Sequence, residues 1–390
     1  MDNPPTPPVF DTARPPDMTA TATGIALGCV ALLMLGLQPL LLGALLNEHR
    51  LDLAQLSRAA TVELLVLGIT AGVMGGGVAH RRLRLIGAAG CAVLAGANAA
   101  SLLAAGLSMV VCRAVAGLGA GIVVWIAVGL ITQGHVPARL SGIFLAGQTA
   151  AQAVLAAVLP LTVMPGHGAN GGLAALAVIS ALSAVALPLL PSSLPDLPKA
   201  EHGAGGVNLA GALGLASSFC FMAGIVGLWV FVDPVARMHG ITPAVAKYAV
   251  AQALAAQVVG ALAATVLAQR LPPGATLLGC ALGFLAAVAV LADTPGDASF
   301  MAAVLLFGFL WLFTLPFQVP VLIRADPTRR AAMLLAGAQL LGGSAGPQIT
   351  GLFATETDLR PALAADAALF GLCLLLTLLA MALPRRATRE

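Results

Sequence analysis

The sequence predicts an all-α integral membrane protein with twelve transmembrane helices arranged as two halves of six. Three observations predict it. Only 9% of the 390 residues are charged and 59% are hydrophobic, giving a mean hydropathy of +0.98. Apolar runs long enough to cross a bilayer recur along the whole chain. The basic residues between those runs fall mainly on alternate connections. A soluble domain carries about 25% charged residues and could not cover its surface with so few. A lipid environment removes that need, provided each backbone polar group is satisfied within a helix.

The same numbers exclude other classes. A net charge of +3 is too small for a phosphate-binding face, and 4% aromatic residues supply no stacking platform, so no nucleic-acid partner is expected. The six cysteines, Cys29, Cys91, Cys112, Cys220, Cys280 and Cys373, each lie inside an apolar run and form no CxxC or His-spaced array. They read as buried thiols, and no metal or other cofactor is expected. No GxxxxGK[ST] phosphate loop occurs.

A spanning helix needs about 20 apolar residues. Runs meeting this lie near 19–46, 58–79, 84–106, 108–132, 138–163, 170–191, 207–232, 244–270, 273–293, 298–323, 329–354 and 361–383. Breakers separate most of them: Pro137, Pro165 with Gly166 and Gly168, Pro272-Pro273, Pro295-Gly296 and Asp326-Pro327. Residues 1–18 are polar and Pro-rich and read as a disordered tail, not a cleavable signal. The longest later interruption, 192–206, is rich in Pro and Gly and reads as a flexible linker. It divides the chain into an N-terminal half, 19–191, and a C-terminal half, 207–383, followed by a short tail, 384–390.

Orientation follows from Lys and Arg. With the N-terminus inside, the cytoplasmic loops hold Arg14, Arg81, Arg82, Arg84, Arg139, Lys199, Arg270, Arg324, Arg329, Arg330, Arg385, Arg386 and Arg389, thirteen of the nineteen. The other side holds Arg50, Arg58, Arg237, Lys247 and Arg360, and Arg113 falls within the membrane. Both termini are therefore expected in the cytoplasm, in a multi-pass protein of the inner (plasma) membrane. The halves also echo each other: Arg139 and Leu145-Ala146-Gly147 match Arg329 and Leu335-Ala336-Gly337 about 190 residues later, as expected of parallel repeats.

The connection after the second span reads Gly76-Gly77-Val78-Ala79-His80-Arg81-Arg82-Leu83-Arg84. It resembles the signature of the major facilitator superfamily, Gly-x-Leu-Ala-Asp-Arg-x-Gly-Arg-Arg, in the corresponding loop. His80 stands where Asp is usual and Leu83 where the second Gly is usual. The fourth span carries Cys112-Arg113 followed by Gly117, Gly119 and Gly121, and is similar to that family's Arg-plus-glycine motif. The resemblance implies a secondary transporter that works by alternating access of two six-helix halves and has no enzymatic activity. It implies that Gly76, His80, Arg81, Arg82 and Arg84 form a gating loop and that Arg113 takes part in proton coupling. Drug antiporters of the family usually carry a Gly-Pro pair in the fifth helix. Here that run has Gly147, Gln148 and Gln152 without it, so a multidrug exporter is the second choice.

Ionisable groups inside spans are costly and are functional candidates by default. Glu63 and Arg113 each read as about five residues inside the same face, on the order of 7 Å deep. They are the proton-coupling candidates. Gln38, Gln148, Gln152, Gln252, Gln257, Gln318 and Gln339 fall on spans 1, 5, 8, 10 and 11, and spans 3, 6, 9 and 12 have none. An amide facing lipid would be unsatisfied, so these are candidates for a wet substrate path. Trp229 and Trp311 are candidates for its apolar wall. Gly68, Gly72 and Gly76 on the second span, with Gly342 and Gly346 on the eleventh, read as a sliding seam. The expected partners are a small organic substrate, protons and the lipid bilayer, with the chain acting as a monomer. A membrane receptor or enzyme is the unfavoured reading of another class, because no loop holds a large domain or a His, Asp or Cys cluster.

Reporter fusions after Glu201 and after Glu390 should both read cytoplasmic. A periplasmic signal at either position would overturn the orientation and the even span count.

Overall fold

The computed structural model describes residues 17–77, 82–134, 137–193, 207–293 and 296–383. Nearly all of the expected N-terminal tail, most of the linker and the final 384–390 lie outside the described residues, as do His80 and Arg81 of the gating loop. The described chain is all-helical. We number the helical columns α1 (Met18–Asn47), α2 (Leu53–Gly77), α3 (Leu83–Ala100), α4 (Leu107–Thr132), α5 (Pro137–Thr162), α6 (Met164–Ser183), α7 (Leu209–Met238), α8 (Pro243–Leu267), α9 (Pro273–Ala292), α10 (Asp297–Ala325), α11 (Arg330–Leu352) and α12 (Arg360–Ala382). Eleven are apolar and long enough to cross a membrane. The twelfth, α11, has 23 residues, or ~34 Å, which is enough length. Its Gln339, Ser344 and glycines lower its hydropathy.

Local chemistry explains where the helices depart from the apolar runs. α2 starts five residues before its run because Asp52 caps it, its Oδ1 accepting from the Gln55 N–H at 2.6 Å. α3 ends at Ala100, not 106, and a turn at Gly106 with φ +57° starts α4. α6 starts before Pro165 and is kinked at Gly168, φ +55°; a 3-10 turn, Ala184–Leu189, follows it. α1 is interrupted at Leu32, where ψ is 6°. The Leu32 carbonyl is met by the Gln152 side-chain N–H from α5 at 2.7 Å. One turn on, Pro39 has no N–H for the Leu35 carbonyl. The Trp229 indole N–H of α7 donates to that oxygen at 3.1 Å.

The packing repeats. Within the first six helices α1 packs on α4, α5 and α6, α2 and α3 pack on α4, and α3 packs on α6. Within the last six, α7 packs on α10, α11 and α12, α8 and α9 pack on α10, and α9 packs on α12. Adding six to each helix number turns the first set into the second. Between the sets, α2 meets α11, α5 meets α8 and α1 meets α7. The same shift exchanges the first two of these pairs and leaves the third unchanged, which is the pattern of a two-fold axis beside α1 and α7.

The bundle is closed at one end and splayed at the other. At the end bearing the α1–α2 and α7–α8 connections, Gly43 of α1 lies against the Asp233 carboxylate of α7. Arg237 donates to the Gly43 carbonyl at 3.1 Å and pairs with Asp233. Gly351 lies against Ser57. Moving along α2 toward the end where the described chain starts and stops, the seam widens. Gly68 has Leu340 of α11 3.8 Å from its Cβ position, and Gly72 has nothing within 4 Å. Ile69, Val73, Leu340 and Leu341 are correspondingly exposed. We call these the loop end and the terminal end.

The small-residue seam is therefore not as the spacing suggested. Gly68 does face α11, but Gly342 and Gly346 press on the Phe219 and Ala223 carbonyls of α7, within the last six helices. Small residues at a four-residue spacing let two helices touch, and the spacing does not say which two. In the first six helices a contact of the same kind joins α4 to α2, with Gly117 against the Glu63 carbonyl and Gly121 against that of Leu67.

Gly117→Ala should destabilise the protein by about 1–3 kcal/mol, since its methyl would overlap the Glu63 carbonyl oxygen and force α2 from α4. Gly72→Ala, with open space around it, should be neutral. Thermal unfolding in detergent reads both, and equal midpoints for the two variants would contradict the packing.

Candidate functional site

α2 and α4 both run inward from the loop end, and they touch where Gly117 meets Glu63. Each of those residues is ten positions from its helix start, about 15 Å deep. Glu63 thus sits twice as deep as the apolar run implied, because Asp52 starts α2 early. Arg113, one turn before Gly117, still reaches it. Its Nη1 is 3.6 Å from Glu63 Oε1, and both side chains are buried, at 0% and 6% exposure. Nη2 of Arg113 donates to Asn98 Oδ1 of α3 at 2.9 Å and to the Ser101 hydroxyl at 2.7 Å.

The ion pair is loose. At 3.6 Å it is a Coulombic contact without a hydrogen bond. The Glu63 Oε2, Arg113 Nε and Arg113 Nη1 atoms have no hydrogen-bond partner among the described residues. Asn98 and Ser101 hold one side of the guanidinium, so removing Glu63 leaves Arg113 partly satisfied. Removing Arg113 leaves the carboxylate with no cation. Such a pair is a place where one proton changes the local charge balance.

The amides divide into three kinds. Gln38 on α1 is fully buried, and neither its amide nitrogen nor its oxygen has a partner among the described residues. The oxygen of Gln148 and the nitrogen of Gln257 are likewise unpartnered and buried. Gln152 serves the break at Leu32, and Gln339 donates to Gln318 at 2.8 Å, joining α11 to α10. These contacts of α1, α5, α10 and α11 are interior. Gln252 is different. It is exposed, on the face of α8 that also presents Val259, Leu262 and Val266, which are exposed apolar residues.

Trp229 is fully buried. Its edge meets Trp311 at 5.7 Å and its face stacks on Phe307 at 6.3 Å. With its N–H spent on Leu35, it seals α1 to α7 and does not line an open wall. In the gating loop, Arg84 donates to the Leu190 carbonyl at 2.7 Å, tying the start of α3 to the turn after α6. Arg82 sits at φ 60° as the residue before α3 and is exposed. Gly76 lies within the last turn of α2.

One buried acid escaped the sequence reading. Asp366 of α12 is 0% exposed and accepts from the Thr350 hydroxyl of α11 at 2.6 Å. It lies six residues after Arg360 within the last apolar run, so a count of ionisable residues in each run would have found it.

No family model matches the sequence, and no curated protein matches it. The fold does match solved structures. A bacterial homologue of the human lysosomal transporter Spinster, in an inward-facing and occupied conformation, aligns with a TM-score of 0.66 at 16% identity, covering 93% of this chain and 96% of that one. The nucleoside transporter NupG, in a mutant form, aligns at 0.69 with 12% identity over 93% and 99%. The major facilitator superfamily transporter FucP, in the outward conformation, aligns at 0.58 with 14% identity over 93% and 99%. With its twelve helices in this arrangement, the chain has the fold of the major facilitator superfamily transporters.

Proposed function

We propose that this protein is a secondary transporter that moves a small organic solute across the inner (plasma) membrane, coupled to protons. The observation that carries the reading is the buried Glu63–Arg113 pair, held loosely beside the tightest contact of α2 with α4. A bundle with the symmetry of two six-helix units, closed at the loop end and splayed at the terminal end, supports alternating access by rocking. The units are residues 19–191 and 207–383, joined by a linker over 192–206. With both termini in the cytoplasm, the splayed end faces inward. Gln38, Gln148 and Gln257, whose buried amides lack partners among the described residues, belong to the solute and water path. The chain works as a monomer. A multidrug exporter would use the same parts, and the absence of a Gly-Pro pair in α5 favours the narrower substrate.

The coupling follows from charge balance. With Glu63 ionised, its charge and that of Arg113 offset each other in a low-dielectric site. A proton on Glu63 releases that attraction while Asn98 and Ser101 keep hold of the guanidinium. If the two conformations hold Glu63 at different distances from Arg113, they bind that proton with different affinity. That difference links proton and solute movement.

A thermal-shift screen of small organic solutes on the purified protein should return a ligand, since binding to the folded state alone raises the melting temperature. In proteoliposomes loaded with that solute, Glu63→Gln should abolish accumulation driven by a pH gradient and leave solute exchange largely intact. Arg113→Ala should damage both and lower stability by about 3–5 kcal/mol, because it strands a buried carboxylate. Accumulation by Glu63→Gln equal to that of the native protein would remove Glu63 from the coupling step.

A further inference from the structure

We propose that Asp366 is a second proton-binding site, built into the last six helices and served from the terminal end by a crevice between α7, α10 and α12. It deepens the proton-coupled reading above and uses none of the residues around Glu63.

The first observation is the carboxyl itself. One oxygen, Oδ1, accepts from Thr350 at 2.6 Å, and the other, Oδ2, has no hydrogen-bond partner among the described residues. Gly227 of α7 packs against both side chains, and a Cβ there would come 2.7 Å from Asp366 Oδ1. Among the described residues no cation compensates the acid. On α7 the nearest charges are Asp233 and Arg237, which pair with each other toward the loop end. On α11 the charged residue is Arg330, about five turns away at the terminal end. On α12 it is Arg360, at the helix start. α9 contributes Asp293 just past its end, and α10 Asp297 and Arg324 at its two ends. A carboxylate buried with a single hydroxyl donor is expensive in an apolar interior, and one bound proton removes the charge.

The second observation is a way in. A cavity of about 520 Å³ opens at the terminal end beside Asn208, Val321, Arg324 and Ala380. Above it lies a pocket of about 20 Å³ lined by Ser217, Thr314, Gln318, Cys373 and Thr377, and both spaces share Val321 and Ala380. That is room for about one water molecule. Its hydroxyls form a chain, Ser217 to Thr377 at 2.8 Å and Ser217 to the Cys373 carbonyl at 3.0 Å. Asp366 is about two turns beyond Cys373 on the same face of α12.

Between the pocket and the acid stand three buried rings. Phe370 stacks on Phe284 at 4.7 Å, and Phe221 meets Phe284 edge-on at 5.5 Å. Phe370 is one turn from Asp366 and lies against Gly224 of α7. These rings are a plug. A turn of the Phe370 side chain away from Gly224 would open it and let a proton pass between the pocket and Asp366.

Infrared difference titration of the purified protein tests this, because it reads protonation without any transport and so fails separately from the Glu63 reading. A band of a buried protonated carboxyl should remain in Glu63→Gln and be absent when Asp366→Asn is added to it. Phe370→Ala should make the band exchange with D2O several-fold faster. Should Asp366→Asn not fold, Thr350→Val should shift the band, having removed its hydrogen-bond donor. In the Glu63→Gln background, a band that survives Asp366→Asn, is untouched by Thr350→Val, or responds to sodium and not to pH overturns the assignment.

Discussion

In hydrocarbon no water meets a main-chain N–H or C=O, so each must find its partner within the protein. That constraint organises this molecule around α1. The helix is broken at Leu32 and carries Pro39, which leaves the Leu35 carbonyl without its helical N–H in the middle of the helix. The Leu32 oxygen, which accepts from the Leu35 N–H at 3.2 Å, takes a second bond from Gln152 of α5, and the Leu35 oxygen is met by Trp229 of α7. A defect in one helix is thereby turned into a bond within its own set of helices and a bond across to the other set. The second sits on the two-fold axis, where α1 and α7 meet.

The close approaches have the same logic. Where backbones must touch, glycine is used, and the touching backbones lie inside each six-helix set: Gly117 and Gly121 on α2, Gly342 and Gly346 on α7. Contacts between the sets are made by side chains, as at Gly68 and Leu340, or by a glycine against a side chain, as at Gly43 and Asp233. Backbone-to-backbone packing is rigid, since moving it strands volume on both sides. Side-chain contacts across the seam are easier to exchange. The distribution suits two stiff units that rock, with the loop end latched by Arg237 and Asp233.

The polar interior is unequal between the two sets. The first holds the Glu63–Arg113 pair, with Asn98 and Ser101 fixing the guanidinium. The equivalent region of the second is aromatic, with Phe284, Phe307, Phe370, Trp229 and Trp311 in mutual contact, and its buried acid has only a hydroxyl beside it. Charge compensated by charge and charge removed by a proton are two different solutions to burying a carboxyl. The fold repeats, and the chemistry placed in it does not.

Much of the fold was legible in the sequence because a bilayer is a severe solvent. It demands apolar runs of a set length, and eleven of the twelve helices announce themselves that way. The remaining one, α11, was still found as a run, because its glycines and amides are interrupted by no charge between Arg330 and Leu352. Glu63 and Arg113 stood out for the same reason, as rare ionisable residues in apolar text. What the sequence by itself determined, then, was the class of fold, the helix count and the presence of costly groups. Only the tertiary structure decided which groups meet. Gln152 and Trp229 read as path residues and instead donate to carbonyls of α1. Gly342 and Gly346 looked like a seam between the sets and pack within one. Asp366 is one more ionisable residue in an apolar run, and its partner Thr350 comes from the neighbouring helix. The physical reason is that hydropathy is a property of one helix and its solvent, while a partner for a polar atom comes from a helix distant in sequence. Its identity depends on rotation about the helix axis, which an almost uniformly apolar helix leaves unmarked.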